Sequence, residues 1–173
     1  MKTILVTGGC GFIGSNLIRL LLKGNKYNLI NIDILTYAGT LSSLEDVELN
    51  DLYHFEQFDI CNSAAIHSVF ERHKPSGVIH LAAESHVDRS LDGPADFIQT
   101  NIVGTYNLLQ TSLDYWKQLP TNGSTRSNFR FLHVSTDEVY GSLNLEDSAF
   151  SEKKAYAPRS PYSASKAASD HLV

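Results

Sequence analysis

A glycine-rich turn between a buried strand and an amphipathic helix constrains this chain more than any other feature. The apolar run Thr3 to Thr7 leads directly into a turn that contains Gly8, Gly11 and Gly14. The segment from Phe12 to Lys23 then repeats apolar residues at helical spacing. A strand that passes through glycines straight into a helix is typical of the start of a βαβ unit. We therefore predict an α/β fold built around this turn.

Short apolar runs alternate with longer helical patterns along the rest of the chain. Further strands are predicted at Asn28 to Asp33, Tyr53 to Asp59, Gly77 to Leu81 and Asn128 to Ser135. Further helices are predicted at Ser43 to Val47, Asn62 to Arg72, Asp96 to Lys117 and from Pro161 to the end. The alternation predicts a doubly wound, parallel Rossmann-type sheet with helices on both faces and the strand order 3-2-1-4-5. We expect one nucleotide-binding domain over residues 1–173, with a surface loop from Leu119 to Ser127.

Composition and charge exclude several classes of protein. The chain is 42% hydrophobic and 19% charged, and its formal net charge of −5, without a basic run, disfavours nucleic-acid binding. The two cysteines, Cys10 and Cys61, cannot form a disulfide framework and indicate a reducing compartment. No apolar run approaches the roughly 20 residues that span a bilayer, and no signal-peptide pattern opens the chain. We therefore expect a cytoplasmic protein that binds neither nucleic acid nor membrane.

The spacing of the glycines predicts a phosphate-binding loop. Gly8 permits the tight turn, Gly11 lets a pyrophosphate approach the backbone, and Gly14 lets the helix lie close to the strand. The helix start at Phe12 and Ile13 then presents free N–H groups and a positive dipole end to the anion. A generic glycine-rich turn is the alternative. The position between a strand and a helix favours the dinucleotide site.

Asp33 ends the second predicted strand, 33 − 14 = 19 residues after Gly14. A carboxylate at this position accepts hydrogen bonds from an adenosine ribose, and it would repel a 2′-phosphate. The spacing therefore favours NAD over NADP. Asp59 and Ile60 end the third predicted strand and could reach the adenine, although Asp59 could equally serve a helix N-terminus.

Tyr162 and Lys166 form a Tyr-x-x-x-Lys pair on one face of the last predicted helix. A tyrosine phenol is a poor base at neutral pH because its pKa is near 10. A nearby lysine cation, together with an oxidised nicotinamide, would favour the phenolate, which could take a hydroxyl proton. Most Tyr-x-x-x-Lys pairs are solvated helix residues. This pair follows the fifth strand of a chain with a glycine loop, and that context favours the catalytic interpretation.

The glycine loop and this pair together resemble the extended short-chain dehydrogenase/reductase family over nearly the whole chain. The resemblance implies NAD as cofactor, Leu81, Ala82 and Ala83 as residues that line it, and Asn101 as the family's helix asparagine. It also implies that Thr136, which follows Ser135, orients the substrate oxygen. The other cofactor contacts that it implies are Leu35, Thr36, Gly39 and Thr100.

Four stretches narrow the resemblance to the nucleotide-sugar 4,6-dehydratases of the dTDP-glucose type. They are residues 33–39, 82–90, 135–141 and 156–166. Two departures are Ile34, where the family has a lysine, and residues 153–155, where it has Glu-Thr-Pro. The resemblance assigns substrate contacts to Ser85 and His86, and it makes Arg89 either structural or a neighbour of the pyrophosphate.

Asp137 and Glu138 are adjacent acids at the carboxyl end of a predicted parallel strand. Oxidation of a hexose at C4 acidifies the C5 proton, so water loss across C5–C6 needs a base and an acid. By resemblance, Glu138 is the base at C5 and Asp137 is the acid at the C6 oxygen. The alternative is a pair of loop carboxylates, one of which caps a turn.

The remaining histidines and cysteines are assigned to packing. No His, Cys or Asp pair shows ligand spacing beside a partner cluster, so we predict no metal site. His80 and His133 lie in predicted strands and are expected to be satisfied core residues. Cys10 is expected to be a small packing residue and not a nucleophile.

Two alternatives to a dehydratase of dTDP-glucose stay open. One is a nucleotide-sugar 4-epimerase or decarboxylase of the same family, against which the Asp137–Glu138 pair argues. The other is a nucleotide-binding fragment without activity, because the chain stops at Val173 inside a helical pattern and the family is roughly twice as long. We expect the sheet to be truncated after the fifth strand and its helix, and a C-terminal substrate domain to be absent. The full-length enzyme is expected to be a homodimer, and this chain alone to turn over little.

Overall fold

Five parallel strands form one sheet. In the computed structural model, which describes residues 1–122 and 124–173, they are β1 (Lys2–Thr7), β2 (Tyr27–Asp33), β3 (Tyr53–Gln57), β4 (Gly77–His80) and β5 (Arg130–His133). Their order is β3-β2-β1-β4-β5, as the sequence predicts. Every pairing between neighbours is parallel, so each strand is reached through a crossover connection. The Rossmann-type topology is therefore confirmed.

The connections between the strands are largely helical. The helices are α1 (Phe12–Lys23), α2 (Ser63–His73), α3 (Val87–Asp92), α4 (Pro94–Phe97), α5 (Thr105–Gln118), α6 (Ser124–Asn128) and α7 (Pro161–Leu172). Leu41–Val47 and Asp137–Tyr140 are 3₁₀ turns, and the π-helix Ile98–Gly104 joins α4 to α5. Among the described residues, no helix combines the length and the hydropathy needed to cross a membrane.

Several predicted boundaries are wrong, for identifiable reasons. β5 has four residues and not eight, because β4, its neighbour among the described strands, offers four residues to pair with. β3 stops at Gln57, which pairs with the last residue of β2, Asp33. The helices α3 and α6 were not predicted because each is at most six residues long and lacks a periodic apolar pattern. α6 lies in the predicted loop before β5, and Gly123 of that loop lies outside the described residues.

Alternate residues of the strands pack against helices on opposite faces of the sheet. Leu5, Ile30 and Ile32 join a core cluster with Ile66, Val69 and Phe70 of α2 and Leu108 of α5. Val6, which follows Leu5 in β1, and Leu29, which precedes Ile30 in β2, point the other way. They join a second cluster with Ile18 and Leu22 of α1. The strands thus bury both faces, which explains their continuous apolar character in the sequence.

The chain forms two compact units. The first comprises Met1–Ala82 and Asn107–Val134 and contains the sheet. The second comprises Ala83–Tyr106 and Ser135–Val173, and in it α7 packs on α3, α4, the π-helix and the 3₁₀ turn Asp137–Tyr140. The expectation of one domain over residues 1–173 stays a prediction.

Backbone contacts hold the start of α1 against the end of β1. A Cβ atom on Gly14 would lie 2.2 Å from the carbonyl oxygen of Gly8 and 2.7 Å from the Cα of Gly9. A Cβ on Gly8 would lie 2.6 Å from the backbone nitrogen of Ala82, and its φ of +72° favours glycine. Neither neighbour is a flexible side chain, so the backbone itself would have to move.

We predict that Gly14→Ala lowers the free energy of unfolding. The clash with Gly8 should cost about 2–3 kcal/mol, which outweighs the gain in helix propensity of about 1 kcal/mol. Urea denaturation measures the difference.

Gly24→Ala is the matched control. Gly24 follows the same helix with ordinary helical angles, and its nearest neighbour to a new Cβ, the Leu21 carbonyl oxygen, lies 3.6 Å away. This variant should be unchanged or more stable by up to about 1 kcal/mol. Equal losses in both variants would contradict the backbone-contact explanation.

Candidate active site

The glycine loop, residues 7–14, forms a tight turn between β1 and α1. The Gly8 N–H donates to the Ile32 carbonyl at 2.8 Å, and the Gly11 N–H donates to the Gly8 carbonyl at 3.3 Å. The first N–H groups of α1 have no partners within the helix, and its first turn carries no acidic residue. The side chains of Phe12 and Ile13 are 87% and 62% exposed. A phosphate could therefore approach this helix end, where the dipole favours negative charge.

Asp33 is buried at the end of β2 and orders the backbone around it. Its Oδ2 accepts from the Cys10 N–H and its Oδ1 from the Leu35 N–H, each at 2.9 Å. Leu35 has a φ of +63°, and the Thr36 carbonyl accepts from the Gly39 N–H at 3.2 Å. The carboxylate thus ties the glycine loop to the segment after β2, a role that the sequence did not reveal. Each oxygen retains a lone pair for a further hydrogen bond.

A buried polar group lies beneath the glycine loop. The Asn31 amide donates to the Tyr53 hydroxyl at 2.9 Å and to the Cys10 sulfur at 3.4 Å. Burial and the charge of Asp33 raise the pKa of the Cys10 thiol to about 11, so it stays protonated at neutral pH. This agrees with its prediction as a packing residue. A Cβ on Gly9 would lie 2.1 Å from Asn31 Oδ1, so the second glycine of the turn is also constrained.

The end of β4 is oriented by β1. The Thr7 hydroxyl lies 2.7 Å from His80 Nδ1, and the same oxygen accepts from the Ala82 N–H at 3.2 Å. The Leu81 N–H donates to the Thr7 carbonyl at 3.1 Å. His80 is therefore a satisfied core residue, as predicted, and Thr7 fixes the path of the segment expected to line the cofactor.

Asp59 and Ile60 have structural partners in the turn before α2. Asp59 Oδ1 accepts from the Cys61 N–H at 2.8 Å, and the Ile60 side chain belongs to the core beneath α2. Asn62, not Asp59, caps the helix by accepting from the Ala65 N–H. Asp59 thus orders the turn before the helix and does not cap it, and its contact with the adenine stays a prediction.

In the second unit, α7 fixes the positions of Tyr162 and Lys166. Ser160 and Ser163 form a reciprocal capping box, and Pro161 occupies the first helical position. Tyr162 lies in the first turn and is half-buried, with its ring 6.3 Å from that of Phe97 in an edge-on arrangement. Its backbone is therefore set by strong local signals, independent of any ligand.

The predicted catalytic side chains of the second unit lie around Tyr162. Burial raises the pKa of the Tyr162 phenol, a hydrogen bond with Thr136 lowers it, and the charges of Glu138, Asp137 and Asp170 raise it further. The net direction is upward, which is opposite to the lowering expected from the sequence for a nearby lysine cation. The 3₁₀ turn leaves Asp137 exposed and Glu138 half-buried, so the two acids have different environments.

Lys166 is buried, with 4% of its surface exposed. Burial lowers its pKa to about 8, although the charge of Asp170 opposes this effect. A lysine with such a pKa is readily charged and discharged near neutral pH, which suits a site that moves protons.

Asn101 organises the segment that follows β4. Its Nδ2 donates to the Glu84 carbonyl and to Ser165 Oγ, and its Oδ1 accepts from the Glu84 N–H, each at 2.9 Å. This amide belongs to the π-helix, a form that is frequent at functional sites. Asn101 therefore holds the turn before α3 to the helix that carries Lys166.

The predicted contacts near that turn are largely at the surface. Ser85, His86 and Arg89 are exposed, whereas Ala83 and Thr100 are half-buried. His86 immediately precedes α3, which the sequence did not predict. The roles assigned to these residues stay predictions.

Asp170 is a site residue that the sequence did not reveal. Its Oδ2 accepts from the Ser135 hydroxyl at 2.6 Å and from the Tyr156 hydroxyl at 3.0 Å. It lies one helical turn after Lys166, a spacing that could have indicated it. Because its charge also affects the pKa values of Tyr162 and Lys166, it belongs to the same electrostatic cluster.

The sheet order and the glycine loop define a protein of the doubly wound Rossmann-type α/β class. The chain belongs to the family described as GDP-mannose 4,6 dehydratase, whose model matches residues 5–173. It is 57% identical to a dTDP-glucose 4,6-dehydratase of Haemophilus influenzae and 55% identical to one of Neisseria meningitidis. Both alignments cover 100% of this chain, but 51% and 48% of the relatives. The chain thus spans about half the length of these relatives.

Solved structures agree with this family. A dTDP-glucose 4,6-dehydratase of Streptomyces venezuelae, with NAD and TYD bound, aligns with a TM-score of 0.85 at 39% identity, over 99% of this chain and 50% of its own. A UDP-Glc/GlcNAc 4-epimerase of Campylobacter jejuni aligns with a TM-score of 0.84 at 28% identity, over 99% of this chain and 48% of its own. Enzymes that catalyse different reactions, a dehydration and an epimerisation, thus share this fold. The fold alone therefore does not identify the reaction, and the residues of the site must be used to do so.

We predict that Lys166→Met raises the free energy of unfolding at pH 7 by about 1–3 kcal/mol, because it removes a charge held in a buried position. The folded-state pKa of about 8 lies below the ordinary 10.5. The cost is therefore fully present below pH 8 and fades as the pH rises towards 10.5. The stability gained by the variant should accordingly shrink at pH 9.5.

Urea denaturation at the two pH values measures this effect, and Lys26→Met, at an exposed lysine, is the control. A loss of stability in Lys166→Met that is equal at both pH values would contradict the prediction. It would show that packing by the lysine stem dominates.

Proposed function

We propose that the glycine loop binds the pyrophosphate of NAD. The support is geometric: a Cβ on Gly11 would find only the Gly8 carbonyl oxygen at 3.4 Å and the Ala38 carbonyl oxygen at 3.8 Å. Both distances are ordinary van der Waals contacts, so Gly11 is the loop glycine at which the folded chain itself tolerates a Cβ. A glycine there is what an approaching pyrophosphate requires. The helix start beside it supplies N–H donors and a favourable dipole.

We further propose that Asp33 selects NAD over NADP. Its carboxylate is fixed by two backbone donors and retains acceptor capacity for ribose hydroxyls. A 2′-phosphate would place negative charge against it, and the segment that follows, Ile34 to Thr36, offers no arginine.

For the whole protein we propose the dehydration of dTDP-glucose to a 4-keto-6-deoxy sugar nucleotide. NAD, when bound, supplies the acceptor for hydride from C4 and its return to C6. In this proposal Tyr162 takes the proton of the C4 hydroxyl, Lys166 stabilises the phenolate, and Thr136 orients the oxygen. The substrate then needs a base at C5 and an acid at the C6 oxygen.

Glu138 and Asp137 fill these two roles in the proposal. Their charges both act on Tyr162, and their unequal burial gives two adjacent carboxylates different environments. Such a difference lets one carboxyl group work as an acid and its neighbour as a base. This acid pair beside Tyr162 is the observation that carries the dehydratase proposal, because an epimerase needs neither group.

The alternatives follow from the same fold. A 4-epimerase is the second candidate, because solved epimerases align over 99% of this chain. The homodimer implied by the resemblance and the cytoplasmic location inferred from composition also stay proposals, and size-exclusion chromatography of the whole protein tests the first.

We predict that Gly11→Ala weakens NAD binding at least about tenfold while leaving stability within about 0.5 kcal/mol. The new methyl group meets only ordinary contacts in the folded chain, but it occupies the space proposed for the pyrophosphate. Calorimetric titration with NAD and NADP measures the affinities. Unchanged NAD affinity would rule out this loop as the binding site, and tighter binding of NADP would contradict the role of Asp33.

The reaction is tested by the mass of the product. Incubation of the whole protein with dTDP-glucose and NAD should give a sugar nucleotide that is lighter by one water, whereas an epimerase gives a product of unchanged mass.

Glu138→Gln should slow water loss by about 10²–10⁴-fold without weakening NAD binding. Glu146→Gln, in the exposed loop before α7, is the matched control. An unaltered rate in Glu138→Gln would refute its role as the base.

A further inference from the structure

Two histidines and a glutamate converge where β3 faces the end of α2. The Nε2 atoms of His54 and His73 lie 3.1 Å and 3.2 Å from the same oxygen, Oε1 of Glu56. The three potential ligand atoms all lie within 4.8 Å of one another. The histidine rings are 5.2 Å apart. Sequence spacing did not reveal this group, because 17 residues separate Glu56 from His73.

The fold explains why these side chains meet. β3 is an edge strand, and its register pairs His54 with Ile30 and Glu56 with Ile32. Both isoleucines belong to the core beneath α2, so the side chains of His54 and Glu56 point towards that helix. His73 occupies the last turn of α2, where the helix dipole favours a cation.

We propose that His54, Glu56 and His73 bind a borderline divalent metal ion, with Zn²⁺ as the reference ion. Two imidazoles and one carboxylate are ligands that Zn²⁺ prefers. Metal–ligand bonds of about 2.0–2.1 Å in a tetrahedron separate ligand atoms by roughly 3.3 Å. The observed 3.1 Å and 3.2 Å separations from Glu56 Oε1 are close to this value. Three protein ligands would leave one position for water.

Arg72 is the competitor for the carboxylate. Its Nη1 lies 2.6 Å from Glu56 Oε1, and the arginine side chain is 50% exposed. Arg72 first, and then the two histidines, lower the pKa of Glu56 to about 2. The exposed guanidinium can move to the second carboxylate oxygen or to solvent. Metal binding therefore exchanges one cation for another at this glutamate.

The occupied site would join β3 to α2. A ligand that binds only the folded state stabilises it in proportion to the logarithm of its concentration over Kd. Zn²⁺ should therefore raise the melting temperature of the chain, independently of NAD or of any activity.

The test is a titration of the metal-free chain with Zn²⁺, read by calorimetry and by the melting temperature. We expect one site per chain, weakened at least about tenfold in His54→Gln and in His73→Gln. His67→Gln, at an exposed histidine on the same helix, should bind like the unaltered chain. Arg72→Gln should bind more tightly, because the competing cation is gone.

Further controls separate the site from thiol binding. Cys61→Ser should leave the affinity unchanged, and Co²⁺ in place of Zn²⁺ should give no thiolate charge-transfer band. Circular dichroism without metal verifies that each variant is folded. Equal affinity in His73→Gln and the unaltered chain, no tightening in Arg72→Gln, or no saturable binding up to about 1 mM Zn²⁺ would each overturn the proposal.

Discussion

Direct backbone contact between the end of β1 and the first turn of α1 is the constraint on which the first unit depends. The 2.2 Å approach of a virtual Gly14 Cβ to the Gly8 carbonyl leaves no space for any side chain there. This contact sets the angle at which α1 leaves the sheet, and with it the burial of Ile18 and Leu22. It also fixes the N–H groups of the helix start beside Gly11, where the pyrophosphate is proposed to bind. One steric requirement therefore serves packing and binding together.

The second unit depends instead on charge in a buried environment. Lys166 is held where its pKa falls to about 8, and Tyr162 where burial raises the pKa of its phenol. The charged ammonium of Lys166 costs free energy that packing elsewhere must offset, whereas the raised pKa keeps the Tyr162 phenol neutral. Functional sites commonly keep such unfavourable groups because reactivity requires them. The capping box at Ser160 and Ser163 supplies some of the local stability that holds them in place.

Features that rest on local patterns could be predicted from the sequence, and features that rest on long-range contacts could not. The strand order, the start of α1 and the Tyr162–Lys166 pair follow from apolar periodicity and fixed spacing. The ends of β3 and β5 depend on the length of their partners, which periodicity does not report. The second role of Asp33, the contacts of Asp170 and the group around Glu56 join residues far apart in the chain. Of these, Asp170 would have been the easiest to predict from the sequence, because it follows Lys166 by one helical turn.

The crowding between Gly9 and Asn31 has a consequence for how this sequence can change over time. Any side chain at position 9 would overlap the Asn31 amide, which lies on the neighbouring strand and is completely buried. Loss of the amide at position 31 would not by itself make position 9 permissive, because the same Cβ would lie 2.5 Å from Ile18 Cδ1 on α1. Variation at position 9 should accordingly be contingent on earlier changes in both the strand and the helix.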